Sequence, residues 1–324
     1  MSQDPSPSGS NPAIESAPAF SVVMAAYNSA LTIGEAIVSV RCQTRSDWEL
    51  IVVDDGSRDE TAAVAEAFAD RRVRVVRTSG NRGPAAARNR GISLAQAPLV
   101  CTLDSDDLWL PHYLETMAKT LDSNPAAAVA CTDAWVLDQT TGRVRKKSAM
   151  ALLDPPDPLP GDTETFLAEL LQRNFIYNSV AARRESLRAV GGYDERLWIG
   201  EDWELWLRLA AAGFRFVRVP QLLAVYRQRT DSLMTSHPER LIEAKCEVYR
   251  VVAEDWDASP ELRNLALRLR RASTLRSNRR AVAGRLLGPL FALRNTLRDS
   301  RLWHREPPRE VAELLLSIAS MQHA

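Results

Sequence analysis

Short apolar runs alternate with helix-like segments four times in the first 125 residues of this 324-residue chain, and few folds accommodate that order. Each run is too short for a helix and apolar almost throughout, which is typical of strands buried on both faces of a parallel sheet. The alternation predicts an α/β fold, with a Rossmann-like, mostly parallel central sheet flanked by helices and joined by right-handed crossovers. Such sheets bind ligands at the carboxyl ends of their strands. The predicted strands are Phe20–Ala25, Glu49–Val53, Val73–Arg77 and Leu99–Leu103.

The fourth predicted strand is followed by three carboxylates in four positions, Asp104, Asp106 and Asp107. Two carboxylates about 5 Å apart repel by roughly 3 kcal/mol at an effective dielectric constant of about 20, so the cluster needs a cation or hydrogen-bond donors nearby. Oxygen ligands on alternate residues suit Mg2+ or Mn2+, which also bind diphosphates. The alternative is a solvated acidic turn before a helix whose first turn would contain Pro111. Both interpretations fit this stretch taken alone.

The second predicted strand also ends in acids, Asp54 and Asp55, which are followed by Gly56 and Ser57. A carboxylate at this edge can accept a hydrogen bond from a nucleobase N–H or a ribose hydroxyl, and glycine allows a tight turn. Ser57 is a candidate N-cap for a helix through Ala69. An ordinary turn is the alternative for this tetrapeptide. Two acidic strand ends on one edge favour a nucleotide site there.

Another pair of acids, Glu201 and Asp202, comes directly before a Trp-rich helix predicted over Trp203–Ala212 and ended by Gly213. The helix dipole favours an ionised carboxylate at that end. Such a group suits a base that accepts a proton from a hydroxyl. Simple capping of the helix is the alternative.

Three arginines are candidates for binding phosphate. Arg88 lies on the helix that precedes the acidic strand. It either supports the Asp cluster, binds a phosphate as a bidentate donor, or faces solvent. Arg227 and Arg229 follow a predicted strand, where they either neutralise a departing diphosphate or form a basic surface loop.

The remaining sequence features exclude several classes of protein. The first strand-to-helix turn, residues 25–29, contains no glycine, so NAD chemistry on a dinucleotide fingerprint is unsupported. The four cysteines show no zinc-binding spacing and indicate buried thiols in a reducing compartment. The sequence shows neither a signal-peptide pattern nor an apolar run of about 18 residues. The expected location is therefore the cytoplasm.

Positive charge is concentrated near the C-terminus. The chain has 41 basic and 41 acidic residues, yet residues 262–305 contain twelve arginines and one acid, Asp299. One interpretation is peripheral contact with anionic lipid at the inner face of the membrane, at about 1 kcal/mol per basic residue. The alternative is a helical appendage packed on the acidic remainder of the chain. Nucleic acid is not favoured as a partner, since aromatic residues are sparse in this segment and no nucleic-acid-binding module is recognisable.

Seven short motifs between residues 20 and 232 together make the sequence similar to bacterial family 2 glycosyltransferases, which have a GT-A fold. The resemblance implies transfer of a sugar from a nucleotide-sugar donor, with UDP favoured, to a hydroxyl of a glycan, glycolipid or other acceptor. It also implies inversion at the anomeric carbon and assistance from Mn2+ or Mg2+. The motifs are Ala26–Asn28, Val52–Ser57, Asn81–Gly83 with Ala87–Gly91, Leu103–Asp107, Gly191–Glu195, Gly200–Trp203 and Tyr226–Arg227.

The same resemblance gives roles to single residues. It implies that Asp202, paired with Glu201, deprotonates the acceptor hydroxyl and that Arg227 meets the diphosphate. Asp106 would bind the metal. The implied contacts to the rest of the donor are Asp104, with Ser105 beside it, for the ribose or the metal, and Ala25, Ala26, Tyr27 and Asp55 for the nucleobase.

One position departs from the family pattern, because Arg229 stands where many relatives carry a histidine that helps to bind the metal. Arginine cannot ligate a cation, so Arg229 would instead replace part of the metal's charge. This departure suggests a second hypothesis, a non-catalytic nucleotide-sugar-binding or membrane-docking protein that retains the fold.

These features divide the chain into three parts: a disordered tail (residues 1–18), a catalytic domain (19–236) and a helical, Arg-rich region (237–324). The catalytic domain is expected to have a nucleotide-binding half (19–125) and an acceptor half (126–236). In the acceptor half the sequence predicts a hairpin from Val129–Val136 and Val144–Lys147, and strands at Phe175–Ala182, Phe214–Val219 and Leu222–Tyr226.

Overall fold

The computed structural model describes residues 17–151, 153–229, 238–275, 303–304 and 306–322. Most of the expected tail, residues 1–16, therefore lies outside the described part. The same holds for residues 230–237 and for residues 276–302, which make up most of the Arg-rich segment.

The first third of the chain alternates strands and helices, as the apolar pattern predicts. Helix α1 shows why: its buried residues Ile33, Ala36, Ile37 and Val40 recur at helical spacing and form one apolar face. The strands are β1 (Phe20–Ala26), β2 (Trp48–Asp54), β3 (Val73–Arg77), β4 (Leu99–Thr102) and β5 (Leu108–Trp109). The helices are α1 (Ile33–Arg41), α2 (Thr61–Glu66), α3 (Pro84–Leu94) and α4 (Tyr113–Ser123).

The second part of the chain adds the remaining strands and helices. Its strands are β6 (Ala127–Asp138), β7 (Arg143–Val144), β8 (Val180–Arg183) and β9 (Arg215–Gln228). Its helices are α5 (Thr163–Gln172), α6 (Arg184–Ala189), α7 (Glu201–Ala211), α8 (Pro238–Arg250), α9 (residues 260–275) and α10 (Arg309–Gln322), and a π-helical turn, Val251–Asp255, follows α8.

The strands in the described part join into a single nine-stranded sheet in the order β3-β2-β1-β4-β8-β6-β9-β5, with β7 paired to β6. The strands β3, β2, β1 and β4 are parallel to one another. β8 lies antiparallel between β4 and β6, and β6 and β9 are again parallel. The α/β fold with a mostly parallel central sheet flanked by helices is therefore confirmed, and every antiparallel pair includes a strand from the second part of the chain.

The alternation of side chains along the strands explains the two main apolar cores. On β2, Ile51 and Val53 belong to a core that contains α5 and α7, whereas Leu50 and Val52 belong to a core that contains α1 and α4. Successive strand residues point to opposite faces. A strand that is apolar at every position is thus buried on both faces, as expected for β1, β2 and β4.

Several predicted boundaries were wrong. Ser57 does not cap α2, which begins at Thr61; the Ser57 hydroxyl instead accepts a hydrogen bond from the backbone N–H of Asn28 (3.0 Å). Helix α4 begins at Tyr113, so Pro111 precedes the helix instead of opening it. The strand expected at Phe175–Ala182 is shorter and begins later, because β8 contains only Val180–Arg183. The two strands expected near residues 214–226 are one long strand, β9, whose pairing with β6 contains irregularities.

The C-terminal helices pack onto the sheet domain. Leu262 and Leu265 of α9 contact the core that contains α7, and Val311, Leu314 and Ile318 of α10 are buried against the region of α1 and β5. No helix within the described ranges is both long and apolar enough to cross a bilayer.

Candidate active site

Three parallel strands bring their carboxyl ends to one edge of the sheet. Ala26 of β1 pairs with Asp54 of β2, so Tyr27 and Asp55 follow at the same level. β4 ends opposite Val23, and the backbone N–H of Leu103 donates to Val23 O (3.1 Å). The chain after β4 therefore runs along β1 and carries its acidic residues towards the same edge.

Arg88 links two acidic segments, at Asp104 and Glu201, that are 97 residues apart in sequence. It is only 6% exposed, and its guanidinium donates to Asp104 Oδ1 (2.7 Å) after β4 and to Glu201 Oε1 (2.5 Å) at the start of α7. A buried arginine with two carboxylate partners fixes both carboxyl groups in position. The predicted supporting place of Arg88 in the Asp cluster matches this geometry.

Asp202 follows Glu201 in the first turn of α7 and remains half-buried. Its Oδ1 accepts from the backbone N–H of Trp203 (2.7 Å). Burial, and next the charge of Glu201, raise the pKa of Asp202 to about 7, although Arg88 acts in the opposite direction. A carboxyl group with such a pKa can accept a proton near neutral pH.

Asp106 and Asp107 have different surroundings although they are adjacent. Asp107 is buried and accepts hydrogen bonds from the Tyr177 hydroxyl and from the backbone N–H of Arg227 (3.0 Å), so it stabilises the fold. Burial and then the charge of Asp104 raise the pKa of Asp106, whereas the charges of Arg229 and Arg227 lower it. Asp104 and Asp106 are therefore the pair of carboxylates whose mutual repulsion a bound cation would reduce.

Asp104 and Asp106 are the candidate ligands for the divalent cation that the sequence predicts. In the described part of the chain, no three His, Cys, Asp or Glu side chains form a group that could hold a metal ion. Mg2+ commonly takes one or two carboxylates and completes its shell with water and substrate phosphates. The carboxylate pair, with the raised pKa of Asp106, fits that kind of shared site and does not fit a closed all-protein site.

Arg227 does not face an open cleft. Its guanidinium is buried and donates to Glu35 of α1, to Thr32 O (3.1 Å) and to the backbone carbonyl of Asp106. It therefore ties the acidic turn after β4 to the start of α1. The expected contact of Arg227 with a diphosphate is not supported by this arrangement, and Arg229 lies close enough to Asp106 to influence its pKa.

The acids after β2 are held by the neighbouring loop. Asp55 accepts from the Thr78 hydroxyl (3.0 Å) and from the backbone N–H groups of Arg82 (2.9 Å) and Gly83 (2.8 Å). Asp54 is fully buried, accepts from Ser57 N (3.2 Å), and lies 3.2 Å from Arg77 Nε. The structure thus gives both carboxylates internal partners and shows an ordering role for them at the predicted nucleotide edge.

The predicted donor contacts on the first strand differ in accessibility. Ala26 is buried, Ala25 is half-buried and Tyr27 is 39% exposed, so Tyr27 offers the most accessible side chain of the three. Ser105 is buried, and its hydroxyl donates to the Ser29 hydroxyl (2.8 Å). Ser105 therefore connects the turn after β4 to the loop after β1.

Two asparagines that sequence reasoning missed support the site. Asn178, just before β8, donates to Asp104 Oδ1 (3.2 Å) and Oδ2 (3.4 Å). Asn89 of α3 donates to Tyr193 O (2.9 Å) and accepts from Tyr193 N (2.8 Å), which holds the loop before α7. Asn89 lies within one of the sequence motifs and could have been singled out, whereas no pattern marks Asn178.

An open α/β sheet with acidic turns after β2 and β4, faced by an acidic helix start, is the arrangement expected of a GT-A glycosyltransferase. The sequence model described as glycosyl transferase family 2 matches residues 21–191, and one described as N-terminal domain of galactosyltransferase matches residues 175–238. This chain belongs to glycosyltransferase family 2.

Individual relatives agree with this assignment. The chain is 37% identical to succinoglycan biosynthesis protein ExoO of Rhizobium meliloti over 68% of its own length and 64% of ExoO, so it spans less than two thirds of that relative. It is 36% identical to UDP-Glc:alpha-D-GlcNAc-diphosphoundecaprenol beta-1,3-glucosyltransferase WfgD of Escherichia coli over 32% of this chain and 41% of WfgD.

A solved structure shares the fold at low sequence identity. The mannosyltransferase PcManGT from Pyrobaculum calidifontis, in complex with GDP-Man and Mn2+, superposes with a TM-score of 0.61 over 94% of this chain and 86% of PcManGT. The two sequences are 19% identical, so this likeness shows the fold alone.

Proposed function

We propose that this protein transfers a hexose from a UDP-sugar to a hydroxyl of a glycan or lipid-linked acceptor, with inversion at the anomeric carbon. The observation that carries the proposal is the link made by Arg88, which holds the acidic turn after β4 beside Glu201 and hence close to Asp202. The names of ExoO and WfgD support a role in polysaccharide biosynthesis, and WfgD supports UDP as the nucleotide.

Asp202 acts as the general base in this proposal. It takes the proton of the acceptor hydroxyl while that oxygen attacks the anomeric carbon, and the bond from that carbon to the diphosphate breaks. The transition state resembles an oxocarbenium ion, as in glycoside hydrolysis. Glu201 does not exchange the proton, because Arg88 holds its carboxylate in an ion pair. Glu201 is therefore a positioning residue in this proposal, although the sequence predicted it as catalytic.

The leaving diphosphate carries negative charge that the site must balance. Asp104 and Asp106 would hold Mn2+ or Mg2+, and the bound cation would supply positive charge to the diphosphate. Arg229 adds a guanidinium on the same side, close enough to lower the pKa of Asp106. Tyr27 is the accessible candidate for contact with the nucleobase, with Ala25, Ala26, Asp54, Asp55 and Ser105 shaping the surrounding edge.

The partner surface is the second element of the proposal. Arg263, Arg268 and Arg271 are exposed on α9 within the Arg-rich segment. A cluster of exposed basic residues attracts anionic lipid headgroups, and the lipid-linked acceptor in WfgD's name is consistent with work at a membrane surface. We place the enzyme peripherally, at the inner face of the membrane.

Replacing Asp202 by Asn tests the catalytic proposal. Removal of a general base typically costs about 10²–10⁴-fold in rate, so sugar transfer should fall by that factor while the affinity for UDP stays unchanged. Release of UDP from UDP-sugars with Mn2+ and calorimetric titration of UDP measure the two quantities. Asp122→Asn, on the exposed face of α4, is the matched control.

The same assay separates the enzyme from a non-catalytic binding protein. A wild-type protein that binds UDP-sugars but never releases UDP, with any acceptor or with water, would reject the catalytic proposal. Full activity in the Asp202→Asn protein would reject Asp202 as the base.

A further inference from the structure

We infer that Trp198 forms an acceptor subsite, in which the open face of its indole stacks on a pyranose ring of the acceptor. The inference rests on the proposed function and adds the residue that recognises the acceptor sugar. Trp198 is 55% exposed, whereas its neighbour Leu197 is buried. It lies four residues before Asp202, in the loop that leads into α7.

The face of the indole, and not its edge, lies against the protein. A Cβ placed on Gly83 would be 3.4 Å from Cδ2 of Trp198 and 3.5 Å from both Cε2 and Cε3. These atoms surround the bond shared by the two rings, so Gly83 lies under the flat face. A Cβ at position 83 would be in ordinary van der Waals contact with the ring. Since one face lies against Gly83, we assign the exposed fraction of Trp198 mainly to the opposite face.

The loop that carries Trp198 is fixed by two sets of contacts that precede the ring in sequence. Asn89 holds Tyr193 by two hydrogen bonds, of 2.8 and 2.9 Å. Arg196 pairs with Asp194 (2.7 Å) and with Asp255 after α8 (3.1 Å). A ring held in this way loses little conformational freedom when a ligand stacks on it. The exposed indole is therefore a preorganised surface and not a loose side chain.

An exposed ion pair joins the residue before Gly83 to the loop that carries Trp198. Arg82, directly before Gly83, pairs with Glu195 at 2.9 Å, and both side chains are largely exposed. A pyranose has an apolar C–H face, which suits an aromatic ring, and a rim of hydroxyls that can donate and accept hydrogen bonds. The indole of Trp198 suits the apolar face of the sugar, and the guanidinium of Arg82 and the carboxylate of Glu195 can hydrogen-bond to its hydroxyls.

The acceptor is favoured over the nucleobase as the ligand of Trp198. The acceptor hydroxyl has to reach Asp202, and Trp198 belongs to the loop that ends at that helix. The nucleoside is expected at the edge formed by β1, where Tyr27 is exposed. Trp198 and Tyr27 thus belong to different segments of the chain with different expected ligands.

Saturation-transfer NMR on the full-length protein tests the subsite directly. The probes are methyl β-glucopyranoside, methyl β-galactopyranoside and methyl N-acetyl-β-glucosaminide, each with UDP and diamagnetic Mg2+ present and with no aromatic group of its own. Signals on the ring protons of at least one probe are expected for the wild type and for Trp198→Phe. Trp198→Ala should weaken binding about five- to tenfold, as loss of an aromatic contact does.

The outcomes are distinct. Leu316→Ala, an exposed apolar change on α10, is the control and should bind as the wild type does. Equal probe binding by Trp198→Ala and the wild type overturns the inference. So does a weaker affinity of Trp198→Ala for UDP with sugar binding intact, because the ring would then serve the nucleobase. Circular dichroism and urea unfolding establish that the variants are folded.

A different measurement tests the proposed function independently of the Trp198 subsite. Metal-dependent release of UDP from UDP-sugars without an acceptor reports on donor cleavage, and the control Leu316→Ala should leave this rate within about twofold of the wild type. Absence of UDP release by the wild type with any acceptor or with water rejects the proposed function, while the NMR result still decides whether Trp198 binds sugar.

Discussion

Arg88 is the residue whose replacement should disturb the site most. Removing one partner of a buried ion pair leaves uncompensated charge, at a cost of about 3–5 kcal/mol, and Arg88 has two such partners. Arg88→Met should therefore lower the free energy of unfolding in urea by at least about 3 kcal/mol. Arg90→Met, an exposed position on the same helix, should change it by less than about 0.5 kcal/mol. Equal effects of the two substitutions would contradict the role of Arg88.

The raised pKa of Asp202 predicts an unusual pH profile for transfer. The base works only when it is deprotonated, so the rate should rise about tenfold per pH unit below pH 7 and level off above it. An ordinary aspartate would place this rise near pH 4. Acceptor-dependent UDP release between pH 5 and 9, at saturating donor, measures the curve. A rate that is flat from pH 5 upwards would exclude Asp202 as the titrating base.

For single residues, the sequence predicted which side chains belong to the site better than it predicted what each side chain does there. Asp104, Glu201 and Asp202 are brought together by Arg88, as their chemistry suggested. Asp55 and Arg227 were expected to face the ligand. Asp55 instead accepts hydrogen bonds from backbone N–H groups of the neighbouring loop, and Arg227 pairs with Glu35. Which partner a carboxylate or guanidinium meets depends on the packing of segments far apart in sequence. No local pattern contains that information.

At the scale of secondary-structure elements, the turn after β2 requires a glycine. Gly56 has φ +71°, and a Cβ there would lie 2.7 Å from the backbone of Gly80, in the loop that Asp55 organises. Gly142 has a similar φ of +67° with no atom within 4 Å of its Cβ position. Gly142→Ala should therefore cost only the conformational term, about 1–2 kcal/mol. Gly56→Ala should cost clearly more, because the loop must also move, and urea unfolding of both variants compares them.

The elements show where sequence patterns reach their limit. The parallel strands were predictable because burial on both faces makes them continuously apolar. β5 has only two residues and exists through its pairing with β9, so no periodicity could reveal it. α5 did carry a signal that was overlooked: the Asp162 side chain caps it by accepting from Thr165 N, and its buried residues recur at helical spacing.

On the scale of the whole molecule, the site depends on contacts between distant segments. Arg227 at the end of β9 joins Glu35 of α1 to the acidic turn after β4, and Asn178 before β8 reaches Asp104. The two halves that the sequence suggests, residues 19–125 and 126–236, therefore share one sheet and one acidic site. Their boundaries remain a prediction, but neither half contains the site alone.

The basic surface of α9 predicts that the whole molecule binds to an anionic membrane surface. At about 100° per residue, Arg263, Arg268 and Arg271 fall within an arc of about 140° on the helix. All three are exposed, whereas Arg270 is paired with Glu254 at 2.6 Å. Each exposed arginine contributes about 1 kcal/mol to binding of an anionic surface. Replacing all three by Gln should thus weaken binding to vesicles containing phosphatidylglycerol about 100-fold.

Flotation with vesicles of phosphatidylglycerol and phosphatidylcholine measures this binding at low salt. The matched control replaces Arg74, Arg90 and Arg188 by Gln, which removes the same charge from exposed positions on β3, α3 and α6. If long-range net charge alone drove binding, both triple variants would lose affinity equally. Selective loss in the α9 variant, together with release of the wild type by salt, would locate the membrane contact on this helix, because screening over about 10 Å at 0.1 M salt weakens exposed charges.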